Sequence, residues 1–148
     1  DNSYKDCLDY AYSKTNNEYI TIFDTVNYYG SNYILDLMLA FEYTQSALVG
    51  KKGYYSMENH NLVQHSVDHQ HQYVRELRPD AVIFKREVKK EIPFSHADSI
   101  DEIMHKFLKQ SFKKGYTIYS ADKFNFIYIK QHDCVSKLDH NCLDKVDI

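Results

Sequence analysis

Hydrophobic residues follow two periods along the chain, and segments of helical period alternate with segments rich in β-branched and aromatic residues. The clearest helical segment is residues 99–115, where five apolar side chains share one face: Ile100, Ile103, Met104, Phe107 and Leu108. Ser99 and Glu102 have the spacing of a capping box, and Gly115 suits the position after the last turn. We predict a helix over this segment and another over residues 4–13.

Four strand-forming stretches alternate with the helical ones: "EYITIF" (18–23), "ALVGKKGYYS" (47–56), "AVIFKREV" (81–88) and "YTIYSADKFNFIYIK" (116–130). Two glycines interrupt the second stretch, and "SADK" divides the fourth into two strands or one bent strand. A further helix, capped by Ser31 or Asn32, is predicted to run to about Ala47. The polar, His-rich residues 57–72 predict a loop or an irregular helix.

Helices interleaved with strands predict an α/β fold with a mixed β-sheet flanked by helices. The sheet is expected to be mixed because its last two strands lie too close in sequence for a helical crossover. A chain of 148 residues fits one domain with a substantial core.

Composition and charge exclude several classes of function. The formal net charge of −3 gives no general attraction for nucleic acid or an anionic membrane. No apolar run approaches the roughly 20 residues that span a bilayer, and the polar start "DNSYKDCLDY" does not have the pattern of a signal peptide. A cytoplasmic location and free thiols at the three cysteines are therefore expected.

The stretch "FDTVNYYG" (23–30) is the strongest candidate for chemistry, because it leads from a predicted strand into a polar turn. Asp24 is its only carboxylate, Val26 has no ligand atom, and Asn27 offers a neutral carbonyl oxygen. Hard cations prefer charged carboxylate oxygens. Three interpretations are open: a working cation site, a weakened one, and an ordinary turn shaped by Asp24 and Asn27.

Together with "AVIFKREVKKEIPF" and "KKGYTIYSADKFNFIYIK", the region from "EYITIFDTVNYYG" onwards resembles the second half of a family 2 glycosyltransferase of the GT-A fold. The resemblance spans about residues 4–141 and is greatest to enzymes of bacterial capsule, teichoic-acid and spore-surface polysaccharide synthesis, such as spore-maturation proteins. It implies a partial, Rossmann-like GT-A domain. It also implies a nucleotide-sugar donor, Mg²⁺ or Mn²⁺, and inverting transfer to the hydroxyl of a glycan acceptor.

The same resemblance implies that residues 1–148 form a single partial domain without the N-terminal strands that bind the nucleotide base. Alone, such a fragment is expected to be inactive. It is also expected to form a homo-oligomer through an exposed sheet edge or apolar face.

The resemblance implies a role for each candidate residue. Asp24 matches a position that contacts the donor ribose or the metal, and Val26 or Asn27 stands where a metal-binding Asp is expected. Asp98, Asp101 and Glu102 are the carboxylates available for the general base that takes the acceptor proton, and Asp101 is preferred. Glu102 is equally explained by the capping box. His140 matches a further cation ligand.

Two alternatives accompany these expectations. His65 and His69 have the i, i+4 spacing of a transition-metal pair if their segment is helical. The domain as a whole also fits a noncatalytic carbohydrate-binding or assembly module that keeps the fold with a degenerate metal site. We therefore retain an enzyme and a binding module as competing interpretations.

Overall fold

A computed structural model describes residues 3–130, and within them the chain forms four α-helices and nine short strands. The helices are α1 (Tyr4–Ser13), α2 (Tyr33–Tyr43), α3 (Arg86–Glu91) and α4 (Ile100–Lys114). The strands are β1 (Tyr19–Thr21), β2 (Tyr28–Tyr29), β3 (Leu48–Gly50), β4 (Tyr54–Glu58), β5 (Asn61–His65), β6 (Gln72–Val74), β7 (Val82–Lys85), β8 (Ile118–Ser120) and β9 (Phe126–Ile129). No helix in the described range has the length and apolar character needed to cross a bilayer.

The strands form two mixed sheets. The larger has the order β1-β7-β3-β8-β6, and the smaller has the order β2-β9-β4-β5. Each sheet contains one parallel pair, β3 with β8 and β4 with β9, and its other pairs are antiparallel. The predicted α/β class with mixed sheet and flanking helices is confirmed, and the arrangement is consistent with a partial Rossmann-like domain.

Alternating side chains of the larger sheet face different helices, as strand geometry requires. Leu48, Phe84 and Ile118 belong to the apolar cluster that includes the buried face of α4. The neighbouring positions Val49 and Ile83 belong to a second cluster with α2. The larger sheet therefore lies between helices on both faces.

The predicted start and end of α4 are confirmed in detail. The Ser99 hydroxyl accepts a 3.1 Å hydrogen bond from the Glu102 amide, and Gly115 ends the helix with a φ of 101°. Phe107 of α4 packs against Phe84, with ring centroids 4.9 Å apart. Burial of each large apolar side chain on this face contributes about 2 kcal/mol to the free energy of folding. This packing fixes the position of the helix N-terminus relative to the sheet.

Two sequence predictions are wrong in part. Residues 57–65 are largely extended, because β4 and β5 form a hairpin in which Glu58 pairs with Asn61. Its two turn residues, Asn59 and His60, have positive φ angles of 49° and 67°, the conformation of a tight hairpin turn. Residues 66–71 are irregular and include a single 3-10 turn, Val67–His69, as the sequence predicted. The strand predicted over residues 81–88 ends at Lys85, and α3 begins at the next residue, Arg86.

Candidate carboxylate site

Three carboxylates from separate parts of the chain converge beside the larger sheet. Asp24 follows β1, Asp80 precedes β7, and Asp101 lies in the first turn of α4. One oxygen of each lies within 4.8 Å of the others. Since β1 and β7 are antiparallel neighbours, the last residue of β1 and the first residue of β7 lie at the same end of the two strands. The N-terminus of α4, which carries the positive end of the helix dipole, lies beside them.

These carboxylates border an open pocket of about 310 Å³. Its other lining residues are largely apolar: Ile22, Phe23, Thr25, Pro79 and Ile100. Apolar walls around a few convergent polar groups are typical of small-molecule sites. The pocket is therefore our candidate functional site, which we call the carboxylate site.

Asp80 is held rigidly and was not identified from the sequence. Its oxygens accept hydrogen bonds from Arg78 Nε at 2.9 Å and Arg78 Nη2 at 2.7 Å. The Asn27 side-chain amide donates a third bond at 2.7 Å. The guanidinium of Arg78 in turn lies over the rings of Tyr54 and Tyr128, 4.8 and 4.3 Å from their centroids. Asp80 is 4% exposed, and Arg78 balances its charge.

Asp24 is fixed by its own turn and by Tyr29. Its Oδ1 accepts a 2.9 Å hydrogen bond from the amide of Val26. This is an Asx-turn, in which an Asp side chain accepts a bond from the backbone amide two residues later. Its own amide donates to the Tyr29 hydroxyl at 3.1 Å, and that hydroxyl donates to the Asp80 carbonyl at 2.6 Å. Burial raises the pKa of Tyr29 to about 12, so the hydroxyl remains a donor at neutral pH.

Asp101 has the electrostatic character of a proton acceptor. Partial burial, and then the nearby charges of Asp80 and Asp24, raise the pKa of its carboxyl, whereas Arg78 opposes the shift. A raised pKa makes the ionised carboxylate a stronger base. Of the three carboxylates that the sequence offers as a base, Asp98, Asp101 and Glu102, Asp101 is the one that lines the pocket.

Glu102 lies outside the pocket lining and is engaged at the start of α4. Its side chain accepts a 3.3 Å bond from the amide of Asp98 and lies 3.5 Å from Lys106 Nζ. In a capping box the Glu side chain accepts a bond from the amide of the N-cap residue, here Ser99. Glu102 instead accepts from the amide of Asp98, one residue earlier. These contacts support the capping interpretation of Glu102.

The side chain of Asn27, a donor-binding candidate from the sequence, does not face the pocket. Its side chain is buried, donates to Asp80, and accepts a 3.0 Å bond from the amide of Ile129 in β9. Both ends of the amide are thus used to join the carboxylate site to the smaller sheet. His140, the other metal candidate from the sequence besides Asp24, lies outside the described residues.

The histidine pair does not share a helix. His65 lies in β5, and its Nε2 is 2.7 Å from Ser56 Oγ and 3.3 Å from Glu58 Oε1. His69 contacts a different residue, with its Nδ1 2.9 Å from Gln72 Nε2. The Ser56, His65 and Glu58 cluster also differs from a catalytic triad, because the acid contacts the same ring nitrogen as the hydroxyl. Ser56 is, moreover, fully buried.

The donor set of the carboxylate site suits a hard divalent cation. Mg²⁺ and Mn²⁺ prefer oxygen ligands, carboxylates above all, and three carboxylate oxygens lie here within 4.8 Å of one another. Arg78 already offsets the charge of Asp80, which leaves Asp24 and Asp101 to supply most of the attraction.

A scan against protein-family models and a search of curated proteins each find no match to the chain. The resemblance to glycosyltransferases thus rests on the sequence motifs, and the functional argument rests on the geometry of the site.

Proposed function

We propose that the carboxylate site transfers a sugar from a nucleotide-sugar donor to an acceptor hydroxyl, as part of cell-surface or spore-surface glycan synthesis. The observation that carries this proposal is the convergence of Asp24 and Asp101, which are 77 positions apart, with the buried Asp80 at one pocket. Asp24 and Asp101 were both selected from the sequence for the two sides of that reaction.

Asp101 acts as the general base in this proposal. As the acceptor oxygen forms its bond to the anomeric carbon, its proton passes to the Asp101 carboxylate. The bond from that carbon to the diphosphate breaks, the electron pair leaves with the diphosphate, and the configuration inverts. The raised pKa of Asp101 favours this proton transfer.

Asp24, with Asp80 beside it, would hold a divalent cation in this proposal, and Asp101 stays free to take the acceptor proton. When bound, Mg²⁺ or Mn²⁺ offsets charge on the leaving diphosphate. Asp80 has a further task, since its bonds to Arg78 and Asn27 keep the pocket wall in place.

A second candidate function is a noncatalytic carbohydrate-binding or assembly module. The observation that favours it is the engagement of Asp80, whose two oxygens already accept three hydrogen bonds. Val26, at the neighbouring loop position, supplies no further ligand atom. Such a module binds a saccharide without consuming a donor.

Release of nucleoside diphosphate from a panel of nucleotide sugars distinguishes the two functions. In the protein encoded by the full reading frame, we expect Mn²⁺-dependent release when an acceptor glycan is present. Asp101→Asn should lower that release at least about 100-fold, the lower end of what a general base contributes. Asp98→Asn is the matched control, because Asp98 is an exposed acid that does not line the pocket. The assay includes both this chain and the protein encoded by its full reading frame.

Saccharide binding without donor consumption in either protein would support the module. Equal release by Asp101→Asn and Asp98→Asn would contradict the role of Asp101 as base.

A further inference from the structure

A second pocket, of about 340 Å³, lies on the side of α4 and is rich in basic residues. Arg75 and Glu76 line one side of it, and His105, Lys109, Phe112 and Lys113 of α4 line the other. We call it the basic pocket. Its charge contrasts with the formal charge of −3 for the whole chain.

The cations of the basic pocket are available to a ligand. Glu76 is its one acidic lining residue, and Glu76 Oε1 lies 3.7 Å from Lys52 Nζ, so that acid has a cation outside the pocket. Within residues 3–130, no ion pair involves Arg75, Lys109 or Lys113. These three side chains therefore give the pocket an excess of positive charge.

An exposed aromatic ring completes the basic pocket. Phe112 is 40% exposed, and the Arg75 guanidinium lies 5.7 Å from its ring centroid. This contact holds the guanidinium near the ring, so that an apolar surface and a charged donor group stand side by side. Such a pair suits a ligand that has both a ring face and a charged oxygen group.

The same two chain segments border the basic pocket and the carboxylate site. Residues 75–80 contribute Arg75 to the basic pocket and Asp80 to the carboxylate site, and α4 contributes Lys109 and Asp101 respectively. Eight residues separate Asp101 from Lys109, which corresponds to about 12 Å along the helix. A short saccharide chain can span that distance.

We propose that the basic pocket is an anion-binding subsite for the acceptor. It holds a phosphate or carboxylate carried by an acceptor saccharide whose reacting hydroxyl lies at Asp101. The forked donor group of Arg75 and the ammonium groups of Lys109 and Lys113 match such an oxyanion. This inference rests on the proposed transferase function, but anion binding is measurable without transfer.

Titrations with inorganic phosphate, glucose 6-phosphate, glucuronate and glucose test the subsite by amide NMR shifts. We expect the charged probes, but not glucose, to shift the amides of residues 105–113. The double variant Lys109→Gln/Lys113→Gln should weaken binding about tenfold or more, as expected for loss of charge-assisted contacts. The matched control is Lys106→Gln/Lys114→Gln, which removes the same charge from the same helix outside the pocket lining.

The subsite is supported if Lys106→Gln/Lys114→Gln binds the charged probes with an affinity within about twofold of the unmodified chain, because exposed charges outside the pocket have small effects. The affinity ratio of glucose 6-phosphate to glucuronate identifies which oxyanion is preferred. Absence of shifts, or equal loss in the two double variants, overturns the subsite. Phosphate binding without donor turnover in the protein of the full reading frame contradicts the transferase proposal alone, whereas turnover without anion binding contradicts the subsite alone.

Discussion

The side-chain amide of Asn27 donates a 2.7 Å hydrogen bond to Oδ2 of Asp80, 53 positions further along the chain. The sequence favoured a different role for Asn27, as the neutral replacement of a metal-binding carboxylate. In the structure it is a donor that a carboxylate cannot replace, since an ionised Asp has only acceptor atoms. Asn27→Asp would place two carboxylates in contact in a buried position.

We therefore expect Asn27→Asp and Val26→Asp to have different effects. Asn27→Asp should destabilise the fold by about 2–3 kcal/mol, because it loses the bond to Asp80 and adds a like charge. Val26 is 56% exposed, so Val26→Asp should leave stability within about 0.5 kcal/mol and strengthen Mn²⁺ binding. Urea denaturation and titration calorimetry measure the two effects. Equal stability of the two variants would contradict this role of Asn27.

Arg78 is expected to be the most sensitive charged position around the carboxylate site. Arg78→Gln leaves the Asp80 charge buried without its cation, which typically costs about 3–5 kcal/mol. Adding Asp80→Asn in the same chain should recover part of that loss, because no uncompensated charge then remains. The exposed Arg75→Gln serves as control in thermal denaturation and should shift stability by less than about 0.5 kcal/mol. A double variant less stable than Arg78→Gln alone would argue against charge compensation.

Asp101→Asn should increase stability at neutral pH while it removes activity. The pKa of Asp101 is raised above 3.8 in the folded state, so the folded protein holds this proton more firmly than the unfolded chain does. The contribution of Asp101 to stability consequently falls as pH rises from 3.8 through the folded pKa. The asparagine in this variant does not ionise, so the variant avoids this loss of stability at neutral pH. The increase in the free energy of unfolding should stay below about 1 kcal/mol, because solvent screens a partly exposed group.

Calorimetric melting temperatures of the unmodified chain and Asp101→Asn, measured at pH 3 and pH 7, check this sign. Asp98→Asn is again the control. A lower melting temperature for Asp101→Asn than for the unmodified chain at pH 7 would show that the Asp101 charge stabilises the fold.

Lys51 provides a separate test of buried charge. Its side chain is fully buried, Nζ lies 2.9 Å from Asp122 Oδ1, and burial lowers the pKa of its ammonium group against the opposing effect of Asp122. Asp122→Ala should cost about 3 kcal/mol at pH 7, since it leaves the ammonium group buried without that partner. Lys51→Met should cost less, because Asp122 is partly exposed.

The same group predicts how stability changes at alkaline pH. Because the folded pKa of Lys51 lies below 10.5, the unfolded chain binds more protons between the two values, so this contribution to stability rises with pH across that window. Urea denaturation of the Asp122→Ala variant at pH 7 and pH 10 should therefore show a smaller deficit at pH 10. An unchanged deficit would contradict the buried-ammonium explanation.

Local patterns predicted the helices and several strands well, because caps and apolar periods act over a few residues. Ser99 and Gly115 identify the two ends of α4 in this way. The β4 to β5 hairpin was missed because its turn, Asn59 and His60, lacks the glycine that usually marks positive φ angles. No local pattern indicates that the strands on either side of "SADK", β8 and β9, belong to different sheets.

The candidate site was half predictable. Asp24 and Asp101 each follow a recognisable local feature, a strand end and a helix cap. Asp80 lies in "LRPDAV", which has the character of an ordinary turn before a strand. Its role depends on Arg78 folding back onto it and on Asn27 reaching it from another loop, and pairing over 53 positions leaves no local pattern in a single sequence.

The parallel pairs at the centre of the two sheets also set the order in which the protein can assemble. Leu48 of β3 pairs with Ile118 of β8, and Tyr55 of β4 pairs with Ile127 of β9, so both sheets receive an interior strand from the last part of the described chain. During translation, β3 and β4 must wait for about 70 further residues before these partners leave the ribosome. Ribosome stalling before residue 118 would therefore yield a nascent polypeptide with open strand edges in both sheets, a form prone to aggregation and proteolysis.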